Sequence, residues 1–277
     1  MKYVLYSRGA KHNVGVLKGN SVYPVPNIPD LLTLLRESSS SALAESALRD
    51  KAKILPLDKV RLLAPIQRPP KIICLGLNFA DHAEETRQPL PKAPILFSKP
   101  PTAVIGPGDA IVLPKNSQVD YEVELAVIIG KGGRHIPENR ALDHVGGYTV
   151  FNDISARNYQ FRDRQWFRGK AFDTFAPMGP CLVLADQIPD PHNLRLQLRL
   201  NNITLQDSTT ANMIFTIPEI ISDISTVLTL ETGDVIATGT PSGVGFVRKP
   251  QPIFLKPKDI VEAEIEGIGI LRNPVSG

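Results

Sequence analysis

The heptapeptide Leu194-Arg-Leu-Gln-Leu-Arg-Leu200 alternates apolar and polar residues without a break, which predicts a half-buried strand. Asn201-Asn202 then turns the chain back into 203–206 as a two-residue hairpin. Apolar runs bounded by turn residues predict further strands at 72–77, 95–98, 110–113, 121–129, 148–152, 234–238 and 260–271. Residues 217–228 carry helical spacing instead. Near the start, 2–6 and 14–17 read as strands, and Lys18-Gly-Asn-Ser21 turns the second into 22–25. Asp30 is placed to cap a helical 31–35; serines at 38–41 interrupt, and helical spacing resumes over 42–52. The pattern predicts an α+β chain with a strand-rich core. The proline-flanked stretch Pro65 to Pro70 divides it into a small N-terminal α/β domain, 1–68, and a larger strand-rich domain, 69–277.

Composition changes this picture little. Of 277 residues, 42% are hydrophobic and 21% charged, which is ordinary globular usage. The 25 prolines favour short strands and loops over a helical bundle. A net charge of +3 with no basic run or aromatic-interleaved stripe argues against nucleic-acid binding. Cys74 and Cys181 both sit in apolar runs and read as buried small hydrophobes, not as a disulfide. No apolar run approaches 18 residues and Met1 to Ala10 lacks a signal-peptide core, so the expectation is a cytoplasmic protein with no membrane partner. A copy in an organelle is compatible with the same features.

The sharpest chemical signal is Asp120-Tyr-Glu-Val-Glu-Leu125. Strand side chains alternate faces, so Asp120, Glu122 and Glu124 point one way. Read alone, such acids fit a solvated strand face equally well. The wholly apolar Ala126 to Ile129 that follows argues for a central strand covered on both faces. Carboxylates roughly 7 Å apart repel by about 2 kcal/mol at an effective dielectric near 20, and a divalent cation removes that cost. Asp153, at the end of the 148–152 strand, offers a third oxygen ligand. Three carboxylates without Cys or His favour Mg²⁺ or Mn²⁺ over zinc and leave roughly three octahedral positions open.

Other groups are weaker in isolation. His82 and Glu85 lie three apart on a short predicted helix or flap, where the carboxylate can orient the imidazole as a general base; a chance surface pair is the plainer account. Arg157 and Gln160 follow Asp153 by four and seven residues, so on a helix the three would share one side, as substrate contacts or as structural ion pairs. Lys170 lies in a loop rich in glycine and aromatic residues, where it would neutralise an oxyanion or simply be solvated. Thr238-Gly-Thr-Pro-Ser-Gly-Val-Gly245 lacks the lysine of a P-loop and the dinucleotide spacing, yet its amides and Thr240 can hold a carboxylate; a tight structural turn is the alternative.

Taken together, five segments resemble the fumarylacetoacetate hydrolase family, in the family's order. They are Gly76-Leu-Asn-Phe-Ala-Asp-His-Ala-Glu-Glu85, Asp120-Tyr-Glu-Val-Glu-Leu125, Asn152-Asp-Ile-Ser-Ala-Arg157, Arg168-Gly-Lys-Ala-Phe-Asp-Thr-Phe175 and Thr238 to Gly245. The resemblance implies a mixed β-roll, a homodimer, and Mg²⁺ or Mn²⁺ on Glu122, Glu124 and Asp153. It implies His82 and Glu85 as a dyad on a lid, and Lys170, Arg157, Gln160 and Thr240 as substrate and oxyanion contacts. Phe79, Ala171, Thr232 and Lys258 depart from the family's usual tyrosine, serine, proline and glycine, which leaves substrate choice open. The expected activity is hydrolysis of a C–C bond in an acylpyruvate-type 2-keto acid through a metal-stabilised enolate. Oxaloacetate-type decarboxylation and hydroxy-dienedioate isomerisation are alternatives on the same site. A binding protein that kept the fold without turnover is the alternative outside enzymes.

Overall fold

A computed structural model describes residues 1–37, 40–50, 53–162 and 165–277. Two mixed sheets organise the chain. The larger runs, in spatial order, through Leu55–Pro56, Ser21–Pro24, Lys11–Lys18, Lys2–Arg8, Ala176–Leu184, Val145–Asn152, Val123–Ile129, Val235–Ala237, Ile72–Leu75 and Leu96–Lys99. The smaller runs through Ile203–Thr209, Arg195–Leu200, Ile260–Ile265, Gly269–Ser276 and Ile111–Val112. The alternation at 194–200 is realised: Leu196, Leu198 and Leu200 face the core, while Arg195 pairs with Asp207, and Arg199 with Glu262 and Glu264.

Val123–Ile129 is buried along its whole length, between Val145–Asn152 and Val235–Ala237. Its apolar run is therefore covered on both faces, and any acid at its start is inside the protein. Helix Ile217–Val227 opens on a capping box, Thr216 with Glu219, and buries Ile217, Ile220, Ile221 and Ile224 as one stripe. Helix Leu31–Arg36 is capped by Asp30, whose carboxylate accepts from the Thr33 amide at 2.7 Å. The second N-terminal helix spans Ser40–Arg49. Residues 38, 39, 51 and 52 of the predicted interruption and helix lie outside the described residues.

Residues 1–68 join the larger sheet through Lys2–Arg8, where Tyr3 stands opposite Leu182. Leu31 and Leu34 share one apolar cluster with Ile72, Cys74, Ala126 and Phe151.

Three readings of the pattern are corrected. The run 260–271 is two strands, because Glu266-Gly-Ile-Gly269 forms a turn with Gly267 at φ +76°. The 121–129 strand is broken at Tyr121 and Glu122, between Val119–Asp120 and Val123–Ile129. Ala176–Leu184 is a central strand that no alternation announced. Pro177 and Pro180 disguise it, and its pairing with Val145–Asn152 is irregular beside Thr149.

Candidate active site

The interruption at Tyr121-Glu122 and the end of Val145–Asn152 are adjacent: the Asp153 amide donates to the Glu122 carbonyl at 2.9 Å. This backbone junction carries Glu122, Glu124 and Asp153 together. One oxygen from each lies within 4.8 Å of the others, and all three residues are buried. The set is all oxygen, as a hard divalent cation requires, and burial makes like charges at this spacing costly without one.

Cations already crowd the cluster. The Lys170 ammonium bridges Glu122 and Asp153 at 2.7 and 2.6 Å. Lys99, whose side chain is fully buried, donates to the other oxygen of Asp153 and to the Ile154 carbonyl. Arg157 spans Glu122 at 2.5 Å and Asp120 at 2.8 Å, and donates to Gln160 at 2.9 Å. Asp120 also accepts the Gly245 and Phe246 amides. Only Glu124 lacks a cationic side-chain partner among the described residues; it accepts the Gly239 amide at 2.9 Å.

The titration of the cluster follows. Burial alone would raise Glu122, but Lys170 and Arg157 outweigh it and pull its carboxyl down to about 2. Glu124 goes the other way: burial, then the charges of Asp153 and Glu122, push it well above the ordinary carboxylate range. Burial lowers Lys99 and also acts against Lys170, yet the charges of Asp153 and Glu122 hold Lys170 above its usual value.

His82 and Glu85 stand on helix Ala80–Thr86, and His82 Nδ1 lies 3.4 Å from Glu85 Oε2. Both carboxylate oxygens of Glu85 accept the Gly243 amide at 3.0 Å. Burial would raise Glu85, but the bonds from His82 and Gly243 prevail and lower it. Asp81 ties the same helix to Ser208 at 2.6 Å. Gly243 adopts φ +105°, where a Cβ would stand 2.2 Å from the Leu205 carbonyl, so the loop needs glycine there.

A cavity of about 730 Å³ joins these parts: Glu122, Glu124, Lys170, Arg157, Gln160, Thr240, His82 and Glu85 all line it. Asp153 does not line it; it is fully buried and paired with Lys170, which does. The structure thus brings every predicted site residue to one place, with two differences in detail. Asp153, Arg157 and Gln160 do not share a helix: a strand residue pair, Ser155–Ala156, intervenes, and the helix is only Arg157–Gln160. The Thr240 hydroxyl is engaged by protein, donating to the Val123 carbonyl and accepting from Gln206, both at 2.9 Å. Lys99, Gln206 and the ion-pairing role of Asp120 escaped the sequence reading. The one available signal was Lys99 itself, a lysine set between the 95–98 run and Pro100-Pro101.

The fold is strand-rich α+β, and it sets a buried three-carboxylate cluster and a His–Glu pair beside one cavity. Residues 71–276 match the fumarylacetoacetate (FAA) hydrolase C-terminal family model. The human mitochondrial oxaloacetate tautomerase FAHD2A is 47% identical over 255 residues, 90% of this chain and 81% of that protein. The Xenopus laevis mitochondrial oxaloacetate tautomerase fahd2 is 48% identical over 255 residues, 90% of this chain and 80% of that protein. Among solved structures, the fumarylacetoacetate hydrolase of Exiguobacterium antarcticum superposes with a TM-score of 0.87 at 38% identity, covering 100% of this chain and 99% of its own. The maleylpyruvate hydrolase of Sphingobium sp. SYK-6, in complex with manganese(II) and pyruvate, gives 0.83 at 32% identity, with 100% and 99% covered. The chain belongs to the fumarylacetoacetate hydrolase family and is an enzyme of that family.

Proposed function

We propose that this protein interconverts the keto and enol forms of oxaloacetate or a closely related 2-keto diacid, with a divalent cation held by Glu122, Glu124 and Asp153. One observation carries the reading: His82 and Glu85 line the same cavity as Glu122 and Glu124, which cluster with buried Asp153. The names of the two tautomerase relatives support the choice of substrate.

The cation, Mg²⁺ or Mn²⁺, supplies Lewis acidity at the keto oxygen when bound. The protein's own groups do the rest. Glu85 holds His82 through Nδ1, leaving Nε2 to take a proton from the carbon beside the keto group and return it to oxygen. The Gly243 amide keeps Glu85 ionised and oriented for that task. Lys170 balances negative charge as it builds on the substrate, and Gln160, fixed by Arg157, borders the same space.

A second reading is hydrolysis of an acylpyruvate, which the sequence alone ranked first. It uses the same His82 to activate water, and the likeness to the maleylpyruvate hydrolase favours it. The test is turnover by magnesium-loaded, manganese-loaded and chelated protein on oxaloacetate, acetylpyruvate and a hydroxy-dienedioate. Loss of the ultraviolet enol signal of oxaloacetate, without carboxylate products from acetylpyruvate, supports the first reading. Carboxylate products support the second. Turnover that survives both chelation and Glu122→Gln refutes the metal role.

We further propose a homodimer, a cytoplasmic location with the mitochondrial relatives marking the organellar alternative, and residues 1–68 as a small unit attached to the catalytic domain. Among the described residues, no helix is long and apolar enough to cross a membrane.

A further inference from the structure

Of the acids at 120, 122 and 124, the last two join Asp153 in the carboxylate cluster. Asp120 is fully buried and takes other partners. Its Oδ1 accepts the Tyr121 amide at 2.8 Å and the Gly245 amide at 2.7 Å. Its Oδ2 accepts the Phe246 amide at 3.0 Å and Arg157 Nε at 2.9 Å, and lies 2.8 Å from Arg157 Nη2. A carboxylate has about four lone-pair sites, so this one has none left for a metal. A Cβ on Gly245 would stand 2.6 Å from Oδ1, so glycine is what lets that amide approach.

Arg157 is equally engaged. Nη2 donates to Glu122, Nη1 donates to Gln160 at 2.9 Å, and the guanidinium carbon sits over the Phe246 ring, 4.4 Å from its centre. Of its five N–H donors, these contacts leave the second one on Nη1 for a ligand in the cavity that Arg157 lines. The loop that bears Gly245 and Phe246 also bears Gly243, whose amide holds Glu85.

We infer that Asp120 is a positioning residue for both halves of the site. It aims Arg157 at the ligand, and it pins Gly245 and Phe246 so that Gly243 meets Glu85. Asp120 does not itself line the cavity, and acts through these neighbours. Asparagine has the same shape but a single acceptor oxygen, and its NH₂ group would face N–H donors, so it cannot serve both the loop and Arg157. The inference rests on the reading above in taking this cavity as the 2-keto acid site.

The experiment measures pyruvate binding to the manganese-loaded full chain by calorimetry, in Asp120→Asn, Arg157→Met and the double variant. Each single variant is expected to lose about ten-fold in affinity, and the double variant no more than either, because the loss runs through one guanidinium. Manganese affinity in Asp120→Asn is expected to stay within about three-fold of wild type. The Gly243 amide, which Asp120 does not touch, is expected to exchange its hydrogen about ten-fold faster in that variant. Single losses that multiply, manganese affinity that falls along with that for pyruvate, or unchanged exchange at Gly243 overturns the inference. Should Asp120→Asn fail to fold, Asp120→Glu, which keeps the charge but lengthens the side chain by one methylene, takes its place with the same expectations. Oxaloacetate turnover is scored separately: if wild type lacks it while the coupling of Asp120 to Arg157 holds, the proposed reaction fails and the positioning role stands.

Discussion

Replacing Lys99 by methionine probes the part of the site that sequence reasoning missed. The substitution keeps an unbranched side chain of similar length in a fully buried position and removes the charge facing Asp153. Breaking a buried ion pair by removing one partner costs about 3–5 kcal/mol, since the other charge stays buried. Asp153 retains Lys170 at 2.6 Å, which puts the expected loss at the lower end, about 3 kcal/mol. For a chain of this size, that corresponds to a fall in Tm of roughly 5–10 °C. The loss is expected in metal-free protein, measured by urea unfolding and calorimetry. Saturating Mg²⁺ or Mn²⁺ should reduce it to less than half, because a dication on Asp153 takes over as counter-charge. A double-mutant cycle with Asp153→Asn isolates the pair, and the double variant should cost less than the sum of the two singles. Equal losses with and without metal, or a loss under about 1 kcal/mol, would refute the account of Asp153 as an acid held between cations.

Glu124 predicts how metal binding depends on pH. Its raised pKa favours the protonated form, which competes with a cation, so affinity is expected to rise with pH with release of protons, as calorimetry in buffers of different ionisation enthalpy reports. The linked stability has the same cause. Above the unfolded carboxylate value of 4.5 the native state keeps a proton the unfolded chain has lost, so metal-free stability declines as pH rises, and Glu124→Gln should flatten that slope. Glu85 has the opposite sign. Its lowered pKa stabilises the fold above 4.5, and that contribution disappears as pH falls through the folded value, so Glu85→Gln should weaken the acid limb of the unfolding curve. The same variant should lower kcat more than it raises KM, and His82→Ala should lower kcat by about 10²-fold or more. Gly243→Ala meets the Leu205 carbonyl at 2.2 Å and a backbone angle costing about 1–3 kcal/mol; lost Tm and lost turnover together are expected, and wild-type behaviour would contradict the glycine requirement.

Much was legible in the linear chain because local rules dominated it. The alternation of 194–200, the Asn201-Asn202 turn, the Asp30 cap and the apolar Ala126 to Ile129 each act over a few residues, and each formed as expected. Three acids placed just before a two-sided buried strand were enough to suggest a cation site, since solvated acids do not usually precede a covered strand. His82 and Glu85 were similarly visible as a pair because both ride one helix.

What only the tertiary structure decided lies where distant segments meet. Lys99 stands 54 residues from Asp153, and no periodicity links them; three strands separate Leu96–Lys99 from Val145–Asn152 in the sheet, so only the folded chain brings the two side chains together. The central strand Ala176–Leu184 was hidden by its prolines, and sheet neighbours on both sides define it in place of local alternation. The protonation of Glu124 and Glu122 was equally out of reach of the sequence, since two acids in one short segment diverge only through which cations and amides the fold packs beside each. Residue identities supplied the chemistry available; burial and long-range pairing set the charge each group carries and the partner it meets, because electrostatic energy depends on distance and solvent, neither of which is a property of the chain read in order.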